Sequence, residues 1–309
     1  MKIVFMGTPD FAVTSLKALA DEGHEILLVV SQPDKPKGRG HKLAATPVKE
    51  CALSLNCEVY QPESLKNDDA YSYLKSFDAD LFVVVAYGQI LSERVLNLPK
   101  LGCINVHASL LPKYRGAAPI QWSIINGENK TGITTMFMNK GLDTGDMILK
   151  KEITIEKSDT GESLHDKLAV LGAETLIETI RLFENNAIIR EKQDDSESCY
   201  APMITKETAK INFNCSPDEI YNLVRGMNSY PYAQTNYDGK LMKIISCRPL
   251  EKGFNGEYGE IINISSEGII VKCGNGAINI TEIQMEGKKK MPVSEYIKGN
   301  SISVGKVLG

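Results

Sequence analysis

Asn105 and His107 are the side chains of this sequence best placed to do chemistry, two residues apart in the apolar run Cys103-Ile104-Asn105-Val106-His107-Ala108. Residues i and i+2 of a strand project to one face, so an amide and an imidazole stand side by side in an otherwise buried strand. A histidine in an apolar strand is ordinarily a satisfied core residue. Three features point to catalysis instead. Asn105 shares its face. Ser109-Leu110-Leu111-Pro112 follows at once and turns the chain outward, because Pro112 cannot join a central ladder and restricts Leu111 before it. The glycine-flanked loop Gly141-Leu142-Asp143-Thr144-Gly145 supplies a carboxylate. An amide donor, an imidazole and a carboxylate suit a reaction through a tetrahedral oxyanion, in which the donors stabilise charge and Asp143 orients and charges His107. No covalent nucleophile is evident, since Ser109 lacks the G-x-S-x-G elbow of a hydrolase. Direct transfer between bound substrates follows.

The elements that must position these groups read as an α/β fold. Lys2–Gly7, Glu25–Val30, Asp80–Ala86 and Ile104–Val106 are continuous apolar strands alternating with helices, the pattern of a parallel sheet covered on both faces. Ligand crevices in such sheets form at the carboxyl ends of the strands, where His107 falls. Thr8 is expected to cap a helix through Leu16 and Leu19, with Pro9 in its first turn. Further helices are expected over 44–55 and 117–126, and a more polar strand over 131–138. Leu164, Leu168, Leu171, Leu176 and Ile180 give Gly161–Glu184 the spacing of an amphipathic helix. The polar run from Gln193 to Ser198 reads as a linker. Beyond it, a short helix over 217–225 precedes short β-rich runs broken by glycines, as in a small barrel of the OB type. The boundaries expected are 1–190, a linker over 191–205, and 206–309.

The 309 residues, 42% hydrophobic and 24% charged, suffice for two globular domains. The first strand begins at once, with neither a signal h-region nor a membrane span, so a cytoplasmic protein without a membrane partner is expected. Seven scattered cysteines, none in a C-x-x-C pair, read as free thiols and predict no metal site. A net charge of −4 argues against a generic nucleic-acid binder, but residues 206–309 carry +2 and the rest −6. Gly7 opens no dinucleotide fingerprint, because Pro9 and Ala12 hold positions that need glycine. Two basic stretches stand out. Lys35, Lys37, Arg39 and Lys42 lie in PDKPKGRGHKL at the carboxyl end of the second strand, within reach of an anionic substrate at the site. Lys288, Lys289 and Lys290 follow Gly287 in the second domain, where they could meet phosphates. Either stretch, taken alone, is the composition of a solvated loop.

Over essentially its whole length the chain resembles the 10-formyltetrahydrofolate-dependent formyltransferases, and within them the methionyl-tRNA formyltransferases. The resemblance rests on FMGTPDFA (5–12), QPDKPKGRG (32–40), VVVAYGQIL (83–91), GCINVHASLLPKYRGAAPIQW (102–122) and GLDTGDM (141–147). It implies a Rossmann-like formyltransferase domain followed by an OB-like barrel, and transfer of formyl from 10-formyltetrahydrofolate to methionyl initiator tRNA. It implies that Asn105 and His107 stabilise the oxyanion and that Asp143 pairs His107 and assists proton transfer. Ser109, Leu110, Leu111 and Pro112, with Tyr87, Gly88, Gln89, Ile90 and Leu91, are expected to line the folate pocket, and Arg39 to approach the acceptor stem. His41 stands where the family often has Lys, and Asn228-Ser229-Tyr230-Pro231 where it usually has N-P-W-P. The rivals are a 10-formyltetrahydrofolate hydrolase or a sugar-nucleotide formyltransferase on the same scaffold and, in another class, a non-catalytic RNA-binding module. A monomer is expected.

Overall fold

The structure is a computed structural model describing residues 1–37, 42–251 and 253–309. Its elements run, in order, β1 (Lys2–Gly7), α1 (Asp10–Asp21), β2 (Glu25–Val30), β3 (Lys35–Lys37), β4 (Lys42–Ala44), α2 (Pro47–Ser54), β5 (Val59–Tyr60), α3 (Asp68–Lys75), β6 (Leu81–Val85), α4 (Glu93–Leu96), β7 (Cys103–His107) and β8 (Arg115–Gly116). Then come α5 (Pro119–Ile125), β9 (Lys130–Phe137), β10 (Met147–Thr154), α6 (Gly161–Glu184), β11 (Tyr200–Ala201) and α7 (Pro217–Gly226). The chain ends with β12 (Ala233–Tyr237), β13 (Lys240–Glu251), β14 (Ile261–Ser265), β15 (Gly268–Cys273), β16 (Gly276–Met285), β17 (Met291–Pro292) and α8 (Val293–Tyr296). Two compact units are distinguished. The first comprises Met1–Gly116, Thr131–Ile153 and His165–Ala201, and the second Ala117–Lys130, Thr154–Leu164 and Pro202–Gly309.

The first unit holds a seven-stranded sheet in the order β10-β9-β7-β6-β1-β2-β5. The apolar strands β1, β2, β6 and β7 are parallel, so residues 7, 30, 85 and 107 reach one edge together. β9, the more polar strand, runs antiparallel to β7, with Asn105 opposite Met136 and His107 opposite Thr134. Successive residues of β7 alternate between the two faces. Cys103 joins Val4, Met6, Phe82 and Leu91 in the core on one face, while Val106 meets α6 at Gly172 on the other. Asn105 and His107 share the Cys103 side.

Several local expectations change. Pro9, not Thr8, is the N-cap of α1 and makes no side-chain cap bond. The Thr8 hydroxyl instead donates to the Tyr87 carbonyl at 2.8 Å, tying the ends of β1 and β6 together. The helix expected from residue 44 starts at Pro47, with Thr46 accepting from the Lys49 N–H, because residues 42–44 pair with 35–37 in a hairpin. In the second unit, β12-β13-β16-β15-β14 form an antiparallel sheet with β17 on β16. α7 opens with a reciprocal capping box between Ser216 and Glu219. Its Arg225 donates to the carbonyls of Glu156 (3.2 Å) and Asp159 (3.1 Å). Among the described residues no helix is long and apolar enough to cross a membrane.

Candidate active site

The strand edge at His107 continues into a turn whose backbone and side chains are braced from β9. The Thr134 hydroxyl donates to the Ser109 carbonyl at 2.7 Å and accepts from the Leu111 N–H at 3.1 Å. Ser109 spends its own hydroxyl on the Lys113 carbonyl, also at 2.7 Å. The turn brings Tyr114, buried at φ +60°, back over the imidazole. His107 Nε2 lies 2.9 Å from the Tyr114 carbonyl oxygen, which can only accept, so this nitrogen carries a proton. Nδ1 faces Asp143 Oδ2 at 3.8 Å, with the two side chains 6% and 12% exposed. That separation is close enough for charge to act and too long for a hydrogen bond. Among the described residues the Asn105 amide has no hydrogen-bond partner, so its donors remain available.

Asp143 owes its place to a built loop. Asn139 Oδ1 accepts from the Gly141 N–H and the Thr144 hydroxyl, each at 2.9 Å. A side chain at Gly145 would put its Cβ 1.8 Å from the Phe137 carbonyl oxygen, so only glycine closes the loop onto β9. Asp143 takes φ +54°, a conformation Asp adopts more readily than most residues. Its Oδ2 accepts from the Gly116 N–H at 2.8 Å. Gly116 has φ +119°, and a Cβ there would meet Tyr200 and the Ala201 carbonyl at 2.6 and 2.7 Å, where β8 pairs with β11. The loop is also held by Gln193, whose Nε2 donates to the carbonyls of Asp143 and Gly145, both at 2.8 Å. Its Oε1 accepts from Arg115 Nε at 2.9 Å. Neither Gln193 nor the backbone groups of Tyr114 and Gly116 stood out in the sequence.

At the start of β7 opens a cavity of about 460 Å³ whose walls include Leu96, Cys103, Phe137, Met138, Asn139 and Gly141, and Asn105, His107 and Asp143 are not among its lining residues. Burial pushes the Cys103 thiol far up from its usual range, so it serves as an inert wall. Neither 87–91 nor 109–112 lines this cavity. Tyr87 and Leu91 face the core, and Gln89 holds the segment before α3 by accepting from the Leu65 N–H at 3.1 Å. Ile90 is 72% exposed, and Gly88 is also open to solvent. Leu111 packs on Met136 and Met147, while Leu110 and Pro112 are half-buried.

The basic hairpin leaves the same sheet edge. Its base is fixed by Asp34, which accepts from Gln61 Nε2 at 2.6 Å and Lys49 Nζ at 2.7 Å. The Gln61 hydrogen bond and then the Lys49 ammonium hold its carboxyl below the usual range. Lys35 is exposed on β3, and Lys37 and Lys42 are paired in backbone register. Arg39 lies outside the described residues. In the second unit Lys288 donates to Asn300 Oδ1 and sits over the Tyr296 ring at 5.2 Å, while Lys289 and Lys290 are exposed. Among the described residues no group of three or more His, Cys, Asp or Glu side chains is gathered for a metal.

A sheet parallel at its centre, followed by an antiparallel domain, is the architecture of a formyl transferase. The formyl transferase family matches residues 1–180, and the family's C-terminal domain matches residues 203–301. Methionyl-tRNA formyltransferase of Clostridioides difficile (strain 630) is 54% identical, and that of Caldanaerobacter subterraneus subsp. tengcongensis 53% identical. Each alignment covers 100% of both chains. The chain belongs to the methionyl-tRNA formyltransferases. The fold is shared with an N-formyltransferase from Helicobacter canadensis crystallised with folinic acid and dTDP-3-aminofucose (TM-score 0.68, 22% identity, 94% of this chain and 100% of that one).

Proposed function

We propose that Asn105, His107 and Asp143 catalyse transfer of the formyl group of 10-formyltetrahydrofolate to the α-amino group of methionyl initiator tRNA. The observation that carries this reading is the imidazole held between two oxygens, with an uncommitted amide on the same strand face. The donor supplies a formyl carbon bonded to nitrogen, and its carbonyl oxygen gains negative charge as the amine adds. Asn105 offers N–H donors to that charge. His107 is anchored through its Nε2–H, so it stabilises the oxyanion from Nδ1 only when that nitrogen also carries a proton, which makes the ring a cation. Positive charge gathered on the ring is then met by the Asp143 carboxylate and the Tyr114 carbonyl. Asp143 also takes the proton that the amine must lose, directly or through a water. The tetrahedral intermediate then collapses with cleavage of the formyl carbon–nitrogen bond of the donor, whose nitrogen takes up a proton and leaves as tetrahydrofolate. An α-amino group of pKa about 7.7–8.0 is substantially neutral near pH 7 and needs little activation, so positioning and charge stabilisation carry the catalysis.

In this reading 87–91 and 109–112, which follow the carboxyl ends of β6 and β7, line the folate pocket. Lys35, Lys37, Arg39 and Lys42, with Lys288, Lys289 and Lys290, contact tRNA phosphates and position the acceptor without reading its sequence. The division of labour proposed is catalysis in 1–190, a linker over 191–205 and tRNA binding by an OB-like domain in 206–309, in a protein acting as a cytoplasmic monomer. Formyl transfer is measured with four acceptors side by side: methionyl initiator tRNA, elongator methionyl-tRNA, an amino-sugar nucleotide and water. Strong preference for the initiator is expected. Folate turnover without tRNA formylation would overturn the acceptor while keeping the chemistry.

A further inference from the structure

We propose that Gln193 is a positioning residue for formyl transfer, holding the Asp143 carboxylate against the imidazole through the backbone of the loop. The inference rests on the catalytic reading of Asp143. Gln193 is 7% exposed and lies in a stretch whose neighbours are solvated. Its amide has only one workable orientation, because Nε2 meets two carbonyl oxygens and Oε1 meets a guanidinium N–H. By donating to residues 143 and 145 at once, the amide bridges the turn on either side of Thr144 and fixes the backbone from which the carboxylate projects.

The bracing closes into a ring. Three consecutive residues each hold one member of the site: the Tyr114 carbonyl holds His107, the Arg115 guanidinium holds Gln193, and the Gly116 N–H holds Asp143. Arg115 is itself aimed by Asp195, whose Oδ1 lies 2.8 Å from Nη2. Gln193 therefore joins the two segments that approach the imidazole from opposite sides, 114–116 and 143–145. Without it Arg115 and the two loop carbonyls lose their shared partner, and the 3.8 Å separation between His107 and Asp143 is no longer imposed. None of the hydrogen bonds of Gln193 goes to the side chains of Asn105, His107 or Asp143, so its effect passes through loop geometry.

The test compares Gln193→Leu, Asp143→Asn and the double variant in formylation of methionyl initiator tRNA. For Gln193→Leu, kcat falls about 10- to 100-fold while both KM values stay within about twofold, as misplacement of a catalytic group predicts. The double variant is no slower than Asp143→Asn alone, since the proposed effect of Gln193 is to place the Asp143 carboxylate. Unchanged kcat, a loss confined to KM, or a loss that multiplies upon Asp143→Asn would overturn the proposal. Should Gln193→Leu fail to fold, Gln193→Asn, with both polar groups one methylene too short, carries the same comparison. Full activity in Asp143→Asn would instead overturn the catalytic reading of Asp143, a separate result.

Discussion

Asp143→Asn removes a charge while leaving the shape of the site in place. Asn accepts the left-handed conformation at φ +54°, and its amide oxygen can still accept from the Gly116 N–H. What disappears is the attraction between a carboxylate and a positively charged ring 3.8 Å away, both nearly shut off from solvent. With an effective dielectric constant of about 20, two unit charges at that distance attract by about 4 kcal/mol. If that attraction is fully expressed only as the ring gains charge, kcat falls by about a thousandfold. Single-turnover transfer of labelled formyl to methionyl initiator tRNA reads the chemical step, and binding of tRNA and folate measured separately is expected to be unchanged. A rate loss below about tenfold would refute the reasoning, because it would mean the pair contributes less than about 1.4 kcal/mol to the transition state. Equal loss of folate binding would refute it differently, by making Asp143 a binding residue.

Gly145→Ala drives a methyl group into the Phe137 carbonyl; it is expected to destabilise the protein by about 1–3 kcal/mol, read by urea unfolding, and to lower kcat by displacing Asp143. Replacing Lys288, Lys289 and Lys290 by Ala should flatten the salt dependence of tRNA binding, the log–log slope falling by about 0.7–0.9 for each phosphate that is no longer neutralised. An unchanged slope would return this cluster to a solvated turn.

What could be read in the sequence divides along a physical line. β1, β2, β6 and β7 are buried on both faces and therefore appear as unbroken apolar runs, and α6 spans the residues its leucine spacing predicts. Asn105 and His107 were legible because polar groups interrupt such a run two residues apart. β10 was not, because its half-exposed side chains give no continuous apolar signal. Thr8 looked like a cap because its neighbours fit one, and only the nearness of β6 redirects its hydroxyl. The supports of the site were hidden for two reasons. The Tyr114 carbonyl and Gly116 N–H are backbone groups, which any residue type offers. Gln193 sits in a polar run, and nothing local distinguishes a glutamine that points inward from its solvated neighbours.

Arg225 has a consequence for how the protein comes into being. Its guanidinium is buried on the carbonyls of Glu156 and Asp159, and α5 packs on α7 within the same unit. Residues 117–130 and 154–164 thus leave the ribosome long before the segment from 202 that completes their unit. Synthesis runs from the amino end at about 5–20 residues per second, so these two stretches wait several seconds for their partners. A fragment begun at residue 203 would never receive them. Its Arg225 would lack both of those carbonyls, and the unit as a whole can close only when translation is nearly finished.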